Sequence, residues 1–278
     1  MIILGIDTAT SATAVALAAG EGAAARELRD DPAPGAHPGH ATRLLAMADE
    51  LLRAEGVSWR EVQRIAVGLG PGAFTGLRVG AATARSLAQS LGAELVGVSS
   101  ALALAHGALV AGAPAALGGP GTGAPDRLLA VIDARRGEVF AAAYELGARE
   151  GLVELAAPAP LPPQQLAAML ARLGPHDGHE SGQAPAARAP AGAGAHASVG
   201  GWLAVGDGAL AYESQVLAAG AQPAPRSSPL HRIAAASICA LGALAQAGTA
   251  LEQVLPDYRR RPDAELALEA AAAGGSAR

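Results

Sequence analysis

Apolar residues in the N-terminal part of the chain alternate between short continuous runs and helical spacing. Continuous runs predict strands, and a spacing of three to four residues predicts helices. The predicted strands are Ile2–Ile6, Thr13–Ala19, Ile65–Leu69 and Leu95–Val98. The predicted helices are Ala41–Glu55, Phe74–Leu91 and a third that runs from Ser99 or Ser100 to about Val110. The segment Leu28–His40 is rich in Pro, Gly and Asp and is predicted to be a loop.

Two segments dominated by Gly, Ala and Pro interrupt the same pattern in the rest of the chain. Residues 112–126 and 174–201 contain almost no large apolar side chain, so they are predicted to be mobile surface insertions. Residues 266–278 are predicted to form a flexible tail. Around these segments the predicted strands are Leu128–Asp133, Glu138–Glu145 and Trp202–Val205, and the predicted helices are Pro163–Leu173 and Leu230–Ala247.

Strands and helices alternate through most of the chain, which predicts an α/β fold with mixed sheets. We expect two lobes: residues 1–105 together with about 226–265, and residues 106–225. Each lobe opens with an apolar strand that ends in an aspartate, Asp7 in the first and Asp133 in the second. This correspondence suggests an ancient duplication.

Composition narrows the chemistry that the chain can perform. All 20 basic residues are arginine, which excludes mechanisms that need a phosphate-binding, Schiff-base or general-base lysine. The net charge of −5 and the 3% content of aromatic residues argue against a general nucleic-acid surface. The single cysteine, Cys239, and an N-terminal stretch that lacks basic residues and contains Asp7 indicate a cytoplasmic protein without a membrane span.

The turn between the first two strands is one candidate site. It contains an acid and three hydroxyl residues around Ala9: Asp7, Thr8, Thr10 and Ser11. A short hairpin of this composition can hold phosphate and Mg²⁺, although such loops usually place glycine where this chain has Thr8 or Ala9. The other interpretation is a turn whose side chains bond their own backbone.

The second candidate is the segment 70–80, GPGAFTGLRVG, between a strand and a helix. Gly70, Pro71 and Gly72 form a predicted turn, and free N–H groups at the following helix start could bind an anion. The helix itself carries small residues at four-residue intervals, and such a stripe lets another element pack closely. The stripe is Gly76, Gly80, Ala84 and Ala88, flanked by Thr83 and Leu87. It could pack on its own sheet, but we expect it to pair with a helix of another subunit.

Several segments in order resemble the TsaB (YeaZ) family. They are IDTATSATAVAL at 6–17, HATRLLAMADELL at 40–52, GPGAFTGLRVG at 70–80, GVSSALALAHGA at 97–108, VIDARRGEVFAAAY at 131–144 and PDYRRRPDA at 256–264. The resemblance covers roughly residues 1–110, 128–145 and 202–265.

The resemblance implies the actin-like (ASKHA, ribonuclease H-like) fold and a non-catalytic role. Family members support a TsaD-like subunit, joined by a TsaE-like ATPase, in forming N6-threonylcarbamoyladenosine at position 37 of tRNAs that read codons starting with A. The chain is then expected to form a homodimer when alone, to meet tRNA only through the complex, and to leave ATP or ADP and metal to its partners. The implied interface uses Leu45, Ala48 and Leu52 of the first helix and Gly76, Gly80, Thr83, Ala84, Leu87 and Ala88 of the second.

Catalytic relatives carry a metal-binding HxxxH pair after a GVN turn, and two imidazoles at this spacing suit a metal. Here Ser100 and Leu104 occupy the two positions, so we expect neither a bound metal nor a peptidase activity. A stand-alone actin-like ATPase or small-molecule kinase is the alternative function. Near the C-terminus, Arg259 and Arg260 belong to a basic cluster that either contacts tRNA or a partner or is a solvated charged run.

Overall fold

The computed structural model describes residues 1–20, 24–33, 35–112, 126–147, 151–174, 201–246 and 248–259, which form two five-stranded sheets and seven α-helices. The strands are β1 Ile2–Asp7, β2 Thr13–Ala19, β3 Arg26–Asp30, β4 Arg64–Gly68, β5 Glu94–Val98, β6 Arg127–Arg135, β7 Glu138–Leu146, β8 Leu152–Leu161, β9 Trp202–Val205 and β10 Ala221–Pro223. The helices are α1 His40–Ala54, α2 Phe74–Leu91, α3 Ser100–Val110, α4 Leu166–Arg172, α5 Asp207–Ala211, α6 Glu213–Ala218 and α7 Ala235–Ala243.

Both sheets have the same topology. The first has the order β3-β2-β1-β4-β5, and the second has the order β8-β7-β6-β9-β10 when it is read from the matching edge. In each, three antiparallel strands are followed by two parallel ones. The predicted α/β class with two mixed sheets is therefore confirmed, and the shared order matches the suspected duplication.

Helices cover both faces of the first sheet. On one face Leu4 and Ile6 of β1 pack with α1 and α2. On the other face Ile3 packs with α7. Gly5 also faces α7, and a β-carbon there would lie 2.6 Å from the Cys239 sulfur, so glycine allows the helix to approach β1 closely.

Helix α3 lies between the two sheets. Its residues Ala101 and Leu104 share a core with Val98 of β5 and with Leu128 and Ile132 of β6. The opposite face of the second sheet packs against α4 and α6. The first turn of α3 is therefore fixed by contacts with both lobes.

Several predicted elements need correction. Part of the predicted loop Leu28–His40 belongs to β3, and β8, β10, α5 and α6 were not predicted. The predicted helix Leu230–Ala247 is helical only at Ala235–Ala243, because Pro229–His231 forms a 3-10 turn and Arg232 and Ala234 are extended. Most of the two predicted insertions lies outside the described residues. The same is true of Arg260 and of the predicted tail 266–278. The residue limits of the two lobes stay a prediction.

No helix in the described part of the chain has the length and hydropathy needed to cross a bilayer.

Candidate functional site

The glycine-rich turn before α2 packs directly on the hairpin turn after β1. A β-carbon at Gly72 would overlap the carbonyl oxygen of Ala9, so only glycine fits there. The next residue, Ala73, donates its backbone N–H to that same Ala9 oxygen at 2.7 Å. Gly70 has a φ of 105° and precedes Pro71 through a cis peptide bond. The turn therefore presses the start of α2 against the β1–β2 hairpin.

The small-residue stripe of α2 continues this contact. A β-carbon at Gly76 would overlap the carbonyl oxygen of Thr8, and one at Gly80 would overlap the Thr8 hydroxyl oxygen. The Thr8 hydroxyl donates a hydrogen bond of 2.8 Å to the carbonyl oxygen of Gly76. Because Thr8 lies against the stripe, the glycines of α2 serve packing within the chain.

This arrangement corrects the expectation that the stripe faces another subunit. Gly76, Gly80, Ala84 and Ala88 are all buried in the isolated chain. The physical reason is that β1 and its turn already occupy the face that the small residues leave open. A partner therefore does not reach the stripe without unpacking the first lobe.

The other predicted interface residues divide into two groups. Ala48 and Leu52 are buried in the core between α1 and the first sheet. Leu45 is 48% exposed, and Thr83 and Leu87 are half-buried. The accessible part of the predicted interface is thus Leu45, Thr83 and Leu87, and its contact with a partner stays a prediction.

Asp7 is buried beneath the glycine-rich turn. Its carboxylate accepts hydrogen bonds from the Ser100 hydroxyl at 2.7 Å and from the Ala9 backbone N–H at 3.0 Å. A β-carbon at Gly68 would overlap the carboxylate, so glycine in β4 makes room for it. Burial raises the pKa of Asp7, while the hydrogen bonds from Ser100 and Ala9 oppose that rise.

Ser100 connects this carboxylate to the glycine-rich turn. Its hydroxyl accepts the Gly70 backbone N–H at 3.2 Å, and its own backbone N–H donates to the Gly70 carbonyl oxygen at 2.8 Å. A single side chain at the start of α3 therefore holds the end of β1 and the turn before α2 together.

His40 also contacts the hairpin. It is the first residue of α1 and is buried, with its Nδ1 2.9 Å from the Thr13 hydroxyl. Burial lowers the pKa of His40, and a hydrogen bond with the backbone of Thr10 opposes that effect. The starts of α1, α2 and α3 thus converge on the turn after β1.

This convergence bears on the proposed phosphate site. Helix starts carry positive partial charge and can hold an anion. Here Asp7 and Thr8 are buried and bonded to the chain itself, while Thr10 and Ser11 are half-buried at the edge of the turn. The backbone N–H of Ala73, at the start of α2, is already bonded to the Ala9 carbonyl oxygen and is not free to bind a phosphate.

A second cluster lies at the N-terminal end of α2. The Arg78 guanidinium carbon sits 3.9 Å from the centre of the Phe74 ring, and its Nε donates a hydrogen bond of 3.0 Å to the Tyr258 hydroxyl. The rings of Phe74 and Tyr258 are 4.9 Å apart. The C-terminal segment reaches α2 because the Asp257 N–H bonds the Leu69 carbonyl oxygen at 2.7 Å. Arg259 pairs with Asp257, and Arg260 lies outside the described residues.

The positions that hold metal in catalytic relatives have other roles here. Ser100 is bonded to Asp7, and Leu104 is buried in the core between the sheets. In the described ranges no group of three or more His, Cys, Asp and Glu side chains is arranged to hold a metal ion.

The second lobe also contains a buried acid, at the start of α5 after β9. Asp207 accepts the Asp133 backbone N–H at 2.9 Å, and burial raises the pKa of Asp207. The hairpin after Asp133 places Arg135 and Arg136 at φ values of 63° and 55°. Asp133 therefore belongs to a local hydrogen-bond network with Arg135 and Asp207.

Three features of the site were not predicted from the sequence. They are the bond between Asp7 and Ser100, the contact of His40 with the hairpin, and the cluster of Phe74, Arg78 and Tyr258. The first two join residues far apart in the chain and leave no spacing signal. The pair Phe74 and Arg78, four residues apart on one helix, could have been recognised.

Sequence comparison identifies related proteins. The family described as TsaD: tRNA N6-adenosine threonylcarbamoyltransferase matches residues 34–268. The tRNA threonylcarbamoyladenosine biosynthesis protein TsaB of Escherichia coli (strain K12) is 39% identical over 152 residues, 52% of this chain and 55% of that protein. The protein of the same name in Haemophilus influenzae is 34% identical over 141 residues, 50% of this chain and 52% of that protein. The matched stretch spans about half the length of these curated relatives.

Structural similarity extends further along the chain. YeaZ from Pseudomonas aeruginosa superposes with a TM-score of 0.63 at 27% identity, covering 92% of this chain and 100% of that one. A second crystal structure, of a protein similar to YeaZ from the same organism, gives a TM-score of 0.64 at 28% identity and covers 93% of this chain and 99% of that one. The likeness therefore includes both sheets.

Proposed function

We propose that this chain is a non-catalytic partner subunit, because it belongs to the family described as TsaD: tRNA N6-adenosine threonylcarbamoyltransferase. Within that family it is one of the TsaB (YeaZ) proteins, which have the actin-like fold. It supports a TsaD-like subunit in the cytoplasm during formation of N6-threonylcarbamoyladenosine at position 37 of tRNAs that read codons starting with A. A TsaE-like ATPase completes the complex, and ATP or ADP and metal bind to the partners.

The observation that carries the non-catalytic role is the closed turn after β1. Asp7 and Thr8 are the residues best suited to phosphate and Mg²⁺, yet both are buried and hydrogen-bonded within the chain. Since Ser100 and Leu104 stand where catalytic relatives hold metal, the second catalytic element is replaced as well. Both features favour a subunit that supports catalysis performed elsewhere.

The outer face of α1 and α2 is the proposed contact with the TsaD-like subunit. Leu45 is a large apolar side chain that remains 48% exposed on α1, and Thr83 and Leu87 are partly accessible on α2. Single exposed apolar side chains are common on protein surfaces, so the proposal rests on Leu45 together with its place on α1, one of the two helices that the resemblance assigns to the interface. When the TsaD-like subunit is absent, the same face is proposed to pair two copies of the chain.

Reconstitution tests the proposal. The chain is combined with the TsaD-like and TsaE-like proteins of the same genome, threonylcarbamoyl-adenylate, ATP and unmodified tRNA, and modified adenosine is measured by nucleoside mass spectrometry. We expect strong modification with all components and a marked decrease when this chain is omitted. The chain incubated alone with the donor and tRNA should give none.

Two results would contradict the proposal. Equal modification without this chain would show that the TsaD-like subunit does not need it. ATP turnover by the isolated chain that is lost on Asp7→Ala would instead support a stand-alone ATPase or kinase.

A further inference from the structure

The guanidinium of Arg78 is held in a fixed position at the N-terminal end of α2. The Arg78 guanidinium lies over the Phe74 ring at 3.9 Å, and its Nε is bonded to the Tyr258 hydroxyl. Stacking and the hydrogen bond together restrict a side chain that is otherwise among the most flexible. Arg78 nevertheless remains exposed to solvent.

This cation has no anion within the described residues. Ion pairs join most described arginines to carboxylates of the chain, and Arg78 is not among them. Even Arg259, on the segment that covers Arg78, pairs with Asp257. An ordered guanidinium without an ion pair is well suited to bind a carboxylate of another molecule, because its side chain loses little conformational entropy when the pair forms.

The surroundings have the composition of a protein contact. Tyr258 is 43% exposed and Leu255, on the same segment, is 57% exposed. Arginine and tyrosine are enriched among the residues that dominate binding energy at protein interfaces. Apolar side chains near such a charge exclude water and strengthen the pair that forms.

The charge around Arg78 favours a carboxylate over the phosphates of RNA. Phosphate backbones are bound by groups of cations, whereas among the described residues of this cluster Arg259 is paired with Asp257 and Arg78 is left without an ion pair, on a chain of net charge −5. A planar guanidinium matches the two oxygens of a carboxylate and can bind them through parallel hydrogen bonds.

We propose that Phe74, Arg78 and Tyr258 form a docking site for an aspartate or glutamate of a partner protein. This inference rests on the proposed function, so the partner is the TsaD-like subunit. The site lies at the N-terminal end of α2, where the segment 254–259 packs against the helix. It would extend the proposed contact beyond the outer faces of α1 and α2.

The test compares Arg78→Glu with a matched reversal at Arg60, another exposed arginine without an ion pair among the described residues. Affinity for the TsaD-like subunit is measured by calorimetry, and thermal unfolding confirms that each variant folds. We expect Arg78→Glu to weaken binding about 10- to 100-fold, the effect of losing a desolvated charge pair at an interface. Arg60→Glu should change affinity less than about threefold.

Arg78→Gln removes the charge with less repulsion and covers the case in which Arg78→Glu does not fold. An affinity change below about threefold for a folded Arg78 variant would overturn the inference while leaving the proposed function intact. A loss of tRNA binding with unchanged affinity for the partner would also overturn it, in favour of a phosphate contact. If the wild-type chain does not bind the TsaD-like subunit at all, both the inference and the proposed function fail.

Discussion

Gly72, Gly76 and Gly80 leave the turn after β1 enough room to cross the start of α2. Each would place a β-carbon on an atom of Thr8 or Ala9. This requirement is steric, because the hairpin backbone fills the space where a side chain would lie. At the scale of single residues, the glycine-rich motif therefore provides the surface on which the chain's own hairpin packs.

Gly76→Ala should therefore destabilise the protein. Alanine favours a helix over glycine by about 1 kcal/mol, which alone predicts a gain. The added methyl group overlaps the Thr8 carbonyl oxygen, and overpacking of this kind costs about 1–3 kcal/mol or more. We expect a net decrease in the free energy of unfolding in urea.

Ala82→Gln, on the exposed face of the same helix, is the control and should change the free energy of unfolding by less than about 0.5 kcal/mol. Equal or higher stability of Gly76→Ala would contradict the packing described here.

The buried carboxyl of Asp7 predicts a pH dependence of stability. Burial raises its folded pKa above the ordinary value of 3.8, so the folded state holds its proton more tightly than the unfolded state does. Its contribution to stability is therefore fully present below pH 3.8 and is lost as the pH rises through the folded pKa.

Asp7→Asn has a similar shape and does not ionise, so it isolates this contribution. The free energy of unfolding of the wild type minus that of Asp7→Asn should fall with rising pH and then level off. Urea denaturation at a series of pH values measures the difference, with Glu50→Gln on the exposed face of α1 as the control. A difference that grows with pH would show that the hydrogen bonds from Ser100 and Ala9 outweigh burial.

At the scale of elements, one arginine fastens the C-terminal helix to the first sheet. The Arg64 side chain is buried in β4 and donates hydrogen bonds of 2.8 Å and 2.9 Å to the carbonyl oxygens of Gly242 and Ala245. These carbonyls lie in the last turn of α7 and just beyond it, where no further turn of helix supplies N–H donors to them. Arg64 also pairs with Glu94 of β5.

Arg64→Met should lower the free energy of unfolding by about 2 kcal/mol, since it removes the side-chain donor to the buried carbonyl of Gly242 and the partly buried carbonyl of Ala245. Chemical denaturation measures this loss. The control is Arg26→Met, which removes an ion pair with Glu55 whose side chains are 57% and 32% exposed. That variant should lose less than about 1 kcal/mol. Similar losses in both variants would remove the distinction between the two arginines.

The sequence predicted the central elements better than the edges of the sheets. Buried strands such as β1 and β6 show continuous apolar runs, which are easily recognised. The edge strand β3, RELRD, is mostly charged, because one side of it faces solvent and charge discourages pairing with other chains. Edge strand β8 contains Pro158 and Pro160, which argue against a strand by residue type but are tolerated at an edge.

The candidate site was only partly predictable for a related reason. Spacing along α2 identified a face made of small residues, but it does not identify what packs there. The actual neighbour is the backbone of Thr8, 68 residues from Gly76, and only the tertiary fold brings the two together. The same applies to Asp7 and Ser100, which are 93 residues apart.

At the scale of the whole molecule, two sheets of the same topology leave different faces for partners. The first lobe presents the outer sides of α1 and α2, with Leu45 exposed. The second lobe presents Leu217 on α6, which is 49% exposed. Only the first is expected to bind a subunit, because the predicted interface lies there.

Leu45→Glu should therefore weaken pairing of the chain with itself and with the TsaD-like subunit while leaving the fold intact. Sedimentation and calorimetry measure the two associations, and we expect a loss of about 10-fold or more for an apolar contact at an interface centre. Leu217→Glu has nearly the same exposure and should leave both unchanged. If both variants, or neither, reduce association, the contact lies elsewhere.

The packing of α7 on β1 also constrains when the protein can form during synthesis. Strand β1 leaves the ribosome long before α7, the helix that packs on one of its faces with Cys239 against Gly5. The face of the first sheet that packs against α7 therefore stays uncovered until most of the chain has been made. Because α7 follows every described strand in the chain, the first lobe completes its packing late, and a chain interrupted before α7 is a natural target for chaperones and proteases.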